Sequence, residues 1–168
     1  MQAVRPSAIP GSGVLLDEAQ LRAWGECVGR AAGNASMFVA LYGELGAGKS
    51  TLARAACRGL GIQGTVPSPT YTLVNVHRSG DTTVHHADLY RITETATEAN
   101  LETVLIDAGW PDLLEADGPV FVEWANLAGG WLPADRWDVR FEFTADPTVR
   151  LVSIEALGTA PPPPDIPC

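Results

Sequence analysis

Residues 43–50 read Gly43-Glu44-Leu45-Gly46-Ala47-Gly48-Lys49-Ser50, a full match to the pattern G-x-x-x-x-G-K-[ST]. Of the 11 basic residues in the chain, only Lys49 is a lysine. The spacing constrains the fold because glycines at these positions let the backbone turn tightly, so that successive amides face one concavity at the start of a helix. The amino group of Lys49 then reaches the β and γ phosphates of a nucleotide, and the Ser50 hydroxyl is placed to ligate Mg²⁺. The flanks agree with this reading. Met37 to Tyr42 is an apolar run of buried-strand length, and Ser50 to Leu60 holds good helix formers, with Leu52, Ala56 and Leu60 at helical spacing and Gly61 as terminator.

The 168 residues suit one domain with a real core, and an apolar fraction of 46% with 18% charged residues suits an ordered protein. A net charge of −9 argues against a broad grip on a nucleic-acid backbone, so strong direct nucleic-acid binding is not expected. Cys27, Cys57 and Cys168 show no metal-like spacing and read as two packing residues and a tail thiol, as in a reducing cytosol. No run is long enough to span a bilayer, and the first residues lack the apolar stretch of a secretion signal. A cytoplasmic location is the expectation.

The elements predict a single α/β domain, three-layered, with a mostly parallel central sheet and antiparallel edge strands. Its bounds are a flexible N-terminus at 1–13, a P-loop domain at 14–156 and a proline-rich disordered tail at 157–168. Asp17 and Gln20 have the form of a capping box opening a helix whose buried face carries Leu21, Trp24, Val28, Ala31 and Ala32, with Gly33-Asn34 as its stop. Thr70–Val76 and Thr82–Leu89 predict a hairpin across Arg78 to Asp81. Glu94, Glu98 and Glu102 at four-residue intervals predict a helix over Thr93–Leu105 with one solvated face, followed by a short helix around Trp110 to Leu114. Val120 to Val122 is a short buried strand ending at Glu123. Trp137–Phe143 and Val149–Ile154 alternate around Ala145-Asp146-Pro147-Thr148, which predicts an antiparallel pair at a sheet edge.

A phosphate loop binds nucleotide, but hydrolysis or transfer also needs metal ligands and a group to orient the attacking oxygen. Ligands collect at the carboxyl ends of parallel strands, and two acids close strands there: Asp88 and Glu123. Either can reach a metal beside Ser50. Glu123 has the cleaner form, an apolar run ending in acid. His86 shares a strand face with Asp88 and either orients it or is a structural histidine. The segment Ser68-Pro69-Thr70-Tyr71-Thr72, stiffened by Pro67 and Pro69, reads either as a switch element or as a stiffened strand entry.

The segments Gly-Glu-Leu-Gly-Ala-Gly-Lys-Ser-Thr (43–51), Ser-Pro-Thr-Tyr-Thr-Leu-Val (68–74), His-Ala-Asp-Leu-Tyr-Arg (86–91) and Val-Glu-Trp (122–124) closely resemble the TsaE-type P-loop ATPases of bacterial tRNA threonylcarbamoyladenosine biosynthesis. The resemblance runs over about residues 14 to 155. It implies an ATPase needed to form the N6-threonylcarbamoyl group on adenosine 37 of tRNA, weak alone and stimulated in complex with TsaD- and TsaB-like subunits, the catalytic carbamoyltransferase-like protein and its paired paralogue. By motif, Leu45, Gly46, Ala47, Gly48, Lys49, Ser50 and Thr51 hold ATP, Ser50 and Glu123 bind Mg²⁺, and Asp88 supports the metal or water. Lys49, Asp88 and Glu123 form the catalytic set. Asp17 and Glu18 correspond to a family segment near the nucleotide base. Family members often carry Glu where this chain has Asn126.

Two other readings share the phosphate loop. A small-molecule or nucleotide kinase of the same class brings an arginine-bearing lid to the transferring phosphate, and here only Arg136 and Arg140 lie late in the chain, without an evident lid. A nucleotide-gated binding module needs the nucleotide without its hydrolysis. An NKxD guanine signature is absent, which favours ATP over GTP.

Overall fold

The structure is a computed structural model, and it describes residues 13–66 and 73–168. Seven strands form one sheet: β1 (Val14–Asp17), β2 (Phe38–Tyr42), β3 (Val74–Ser79), β4 (Thr82–Asp88), β5 (Val120–Glu123), β6 (Arg136–Phe143) and β7 (Val149–Leu157). Their order is β1-β7-β6-β2-β5-β4-β3. The centre is parallel, since β2 pairs with β5 and β6 and β4 pairs with β5 in that sense, while β3–β4, β6–β7 and β1–β7 are antiparallel. The fold class is therefore the α/β sheet that the element order predicts. One detail differs: the β6–β7 pair is interior, because Val14–Asp17, too short to register as a strand in the sequence pattern, adds the outer edge.

Two helices, α1 (Glu18–Ala35) and α2 (Lys49–Gly59), cover one sheet face. Asp17 opens α1 with both bonds of the capping box: its side chain accepts from the Gln20 amide, and the Gln20 side chain accepts from the Asp17 amide. Trp24 is core, 1% exposed. The helix runs past Gly33-Asn34 and stops at Ser36, whose left-handed backbone (φ 48°) sends its amide back to the carbonyls of Ala32 and Gly33. The two helices cross at near contact. A Cβ added at Gly29 would lie 2.1 Å from the Ala56 carbonyl oxygen, so the approach requires glycine there.

The other face is covered by a 3-10 turn (Leu89–Glu94), α3 (Leu101–Asp107), α4 (Trp110–Leu114) and 3-10 turns over Ala125–Trp131. The single helix expected over Thr93–Leu105 is thus broken. Asn100 turns its side chain onto its own neighbourhood, accepting from the Thr97 amide and hydroxyl and donating to the Thr95 carbonyl. Those bonds compete with helix formation, and α3 starts only at Leu101.

The tail is extended, as its prolines dictate, but it is not a loose end. Trp137 Nε1 donates to the Pro161 carbonyl and Trp24 Nε1 to that of Asp165. Ala160 and Ile166 pack on the helix-side core, and Cys168 forms a disulfide with Cys27. This corrects the disordered tail, the reading of these two cysteines as a packing residue and a free thiol, and with it the use of the cysteines as a sign of a reducing cytosol. Cys57 is a buried free thiol, as expected of a packing residue. No helix among the described residues is long and apolar enough to cross a membrane.

Candidate functional site

The three parallel strands β2, β5 and β4 end at one level, with Leu41 in register with Glu123 and Glu123 in register with Asp88. The glycine loop leaves β2 there and turns into α2. Gly48 is the N-cap of α2 at φ 114°, a conformation that strains any side chain, and no side chain among the described residues caps that helix end. The first amides of α2 are therefore free to meet an anion, with the helix dipole behind them. A cleft of about 270 Å³ opens over this loop, lined by Leu45 to Thr51 together with Arg54, Asp88, Tyr90, Glu123 and Trp124.

Lys49 is 4% exposed, and its Nζ donates to the carbonyls of Gly43 (2.7 Å) and Glu44 (2.8 Å). The indole of Trp124 lies 4.0 Å from the same ammonium. Burial pulls the Lys49 pKa below its ordinary value, against the opposing pull of Glu123, Asp88 and Glu44. Trp124 reaches this position from a left-handed backbone (φ 58°), strained for a non-glycine residue. Its ring also packs on Tyr90, with centroids 4.9 Å apart.

Glu123, 2% exposed, is held from two sides. Ser50 Oγ donates to Oε2 at 2.6 Å, and His86 Nε2 lies 2.7 Å from Oε1. His86 thus hydrogen-bonds Glu123, and it also acts electrostatically on Asp88. The side chain follows the face of β4 that looks toward α2, where the in-register neighbour strand presents Phe121 and then Glu123. Asp88 instead caps the following 3-10 turn, its Oδ1 accepting from the Tyr90 amide at 2.9 Å. Burial is the largest influence on it and raises its pKa, with Glu123 adding to the rise.

The oxygens of Ser50, Glu123 and Asp88 are hard donors of the kind that suit Mg²⁺, which usually takes one or two carboxylates together with phosphate and water. Ser50 and Glu123 already share a hydrogen bond, so both can face a single cation. Among the described residues there is no group of three or more His, Cys, Asp or Glu that could hold a metal alone. The donor set of the Ser50 hydroxyl and the carboxylates is chemically suited to a cation that also takes phosphate and water.

A second cleft of about 530 Å³ adjoins the first, sharing Gly46, Ala47, Gly48 and Thr51 with it. Asp17 and Glu18 line it, as do Pro147, Thr148 and Arg150. Glu18 is exposed and pairs with Arg22. Leu45 to Thr51, Asp88 and Glu123 thus line the first cleft and Asp17 and Glu18 the second, while His86 lies behind Glu123. Segment 68–72, the switch candidate, lies outside the described residues. The sequence reading missed Arg54, Tyr90, Trp124 and Arg150. Arg54 was findable, because it stands one helical turn beyond Ser50; nothing local marks Arg150.

Comparison with known proteins bears on the family resemblance. The family model for threonylcarbamoyl adenosine biosynthesis protein TsaE matches residues 15–151. The chain is 36% identical over 124 residues to the tRNA threonylcarbamoyladenosine biosynthesis protein TsaE of Haemophilus influenzae, covering 73% of this chain and 74% of that one. It is 36% identical over 126 residues to the same-named protein of Streptomyces coelicolor, covering 72% and 80%. Its fold is similar to the crystal structure of Bacillus subtilis YdiB, with a TM-score of 0.67 at 23% identity over 89% of this chain and 90% of that one. With its matched model spanning most of the sequence, this chain belongs to the TsaE family of threonylcarbamoyl adenosine biosynthesis.

Proposed function

We propose that the protein is a cytoplasmic ATPase that binds Mg·ATP over the glycine loop and hydrolyses it in the service of tRNA N6-threonylcarbamoylation at adenosine 37, together with TsaD- and TsaB-like subunits. The observation that carries this reading is the 2.6 Å pairing of Ser50 Oγ with the buried Glu123 carboxylate at the mouth of the uncapped α2 N-terminus. A hydroxyl and an acid held together beside an anion cradle suit a metal-bound polyphosphate. The direct hydrogen-bond partners of that acid are a hydroxyl and an imidazole, with Lys49 acting on it through its charge, which leaves its oxygens room for a further cation.

In this reading the amides of Gly46 to Ser50 hold the phosphates, and Lys49 exchanges the carbonyls of Gly43 and Glu44 for phosphate oxygens. Ser50 and Glu123 hold Mg²⁺, which when bound neutralises charge on the phosphates. Asp88, at the end of the neighbouring strand, orients the attacking water. Asp17, Glu18 and the Pro147–Thr148 turn flank the nucleoside. Weak turnover alone fits a site whose Lys49 is tied to the loop and covered by Trp124. The acidic surface makes the protein partners, and not this chain, the carriers of the tRNA.

The test is a pull-down of the modification subunits from purified components with ATP, a non-hydrolysable analogue, ADP or no nucleotide. Recovery that depends on the triphosphate, with ATP turnover raised in the recovered assembly, is the expected result. Recovery indifferent to nucleotide, or transfer of phosphate to a small acceptor, would overturn it.

A further inference from the structure

His86 is wholly buried and lies one strand away from the phosphate loop, yet its Nε2 is 2.7 Å from Oε1 of Glu123, the oxygen that does not face Ser50. Glu123 Oε2 takes the Ser50 hydroxyl at 2.6 Å. The carboxylate is therefore gripped at both oxygens, one from the cleft and one from behind. We propose that His86 is a positioning residue, which fixes the plane of the Glu123 carboxylate so that its other oxygen faces the Mg²⁺ of the bound nucleotide. This inference rests on the Mg·ATP reading of the cleft.

The physical argument has three parts. The terminal torsion of a glutamate is broad and roughly two-fold, so a carboxylate without a rear anchor rotates freely and presents its oxygens poorly. A hydrogen bond from Nε2 to Oε1 requires the proton to sit on Nε2. Nδ1 is buried with no partner in the described structure, so an N–H at that position would have no acceptor. The burial site thus selects the one tautomer that can donate to Glu123. Partners that orient a ligand from behind typically change metal affinity about 10- to 100-fold when removed.

A core histidine that merely fills space makes different predictions, and glutamine and asparagine separate the two. In His86→Gln the side-chain amide nitrogen falls near the position of Nε2, whereas in His86→Asn it falls near Nδ1 and cannot reach Glu123. ATP affinity is measured by calorimetry with Mg²⁺ and with EDTA. His86→Asn is expected to lose about 10- to 100-fold in the Mg²⁺-dependent gain of affinity while matching the parent protein in EDTA, and His86→Gln to retain most of the gain. An Mg²⁺ gain in His86→Asn equal to the parent's would overturn the proposal, as would equal weakening of both variants in EDTA. No Mg²⁺ gain in the parent protein would overturn the Mg·ATP reading itself. A second measurement needs no substitution. Spectra of the protein carrying ¹⁵N-labelled histidine should show His86 protonated at Nε2, and a proton on Nδ1 alone would contradict the arrangement.

Discussion

Two buried carboxylates flank the central strand β2, each 2% exposed, and their surroundings differ in kind. Asp138 on β6 lies between two guanidinium groups, with Arg136 Nε at 2.7 Å and Arg140 Nη2 at 3.2 Å, and it also accepts from the Tyr42 hydroxyl. Glu123 on β5 points to the opposite sheet face and has a hydroxyl and an imidazole for its direct partners. Both acids are desolvated by burial, but Asp138 is bonded directly to two guanidinium groups, whereas Lys49 acts on Glu123 through its charge while its hydrogen bonds go to the loop carbonyls. On the reading proposed above, a buried acid bonded to a hydroxyl and an imidazole at the edge of an anion cradle has a place for a cation from outside. The first cluster ties strands of the fold together, and the second is the one proposed to meet a ligand.

The comparison breaks if stability and binding do not separate along it. Asp138→Ala strips both arginines of their acid and should lower stability by about 4 kcal/mol, read by denaturant unfolding, with ATP affinity within twofold of the parent. Equal loss of binding would make Asp138 part of the site. Reduction of the Cys27–Cys168 disulfide frees a long loop and should cost about 3 kcal/mol, again without effect on nucleotide affinity. A melting temperature unmoved by reductant would show that the tail contributes nothing to the folded state. Lys49→Met should weaken ATP about 100-fold, the loss of its charge-assisted contacts to phosphate, yet should not lower the melting temperature, because burial already disfavours the charged amine. A clear fall in melting temperature would mean that the loop needs its lysine to fold.

The smallest effect concerns the phenol beside Asp138. Burial and the nearby carboxylate push the Tyr42 pKa up to about 12 from 10.0. The folded chain therefore keeps that proton where the unfolded chain releases it, so stability attributable to Tyr42 is present below pH 10 and declines as pH rises from about 10 to 12. Ultraviolet titration should resolve a phenol that ionises late, and Tyr42→Phe should remove it. All phenols ionising together near pH 10 would contradict the described environment of Asp138.

The difference between the clusters also explains what the sequence could reveal. The glycine loop, the Asp17–Gln20 cap and the strand ending in Glu123 are legible because each is set by residues within a few positions of one another. The contact of His86 with Glu123 is not, because it depends on the register of β4 against β5, and a slip of one residue would turn every side chain over. The same holds for Asp138, whose hydroxyl partner Tyr42 lies 96 residues away, and for the disulfide, which spans 141. The expected helix over Thr93–Leu105 failed for the opposite reason. The charge spacing was real, but the local bonds of Asn100 outweighed it.

The central claim is that Glu123 faces a magnesium-bound nucleotide, and it is tested most directly by calorimetric titration of ATP into the parent protein and Glu123→Gln, each with Mg²⁺ and with EDTA. The amide keeps the shape of the side chain and removes its charge. The parent should bind more tightly with Mg²⁺ than with EDTA, and Glu123→Gln should bind with the same weakened affinity in both. A Glu123→Gln protein that keeps the parent's full response to Mg²⁺ would contradict the account.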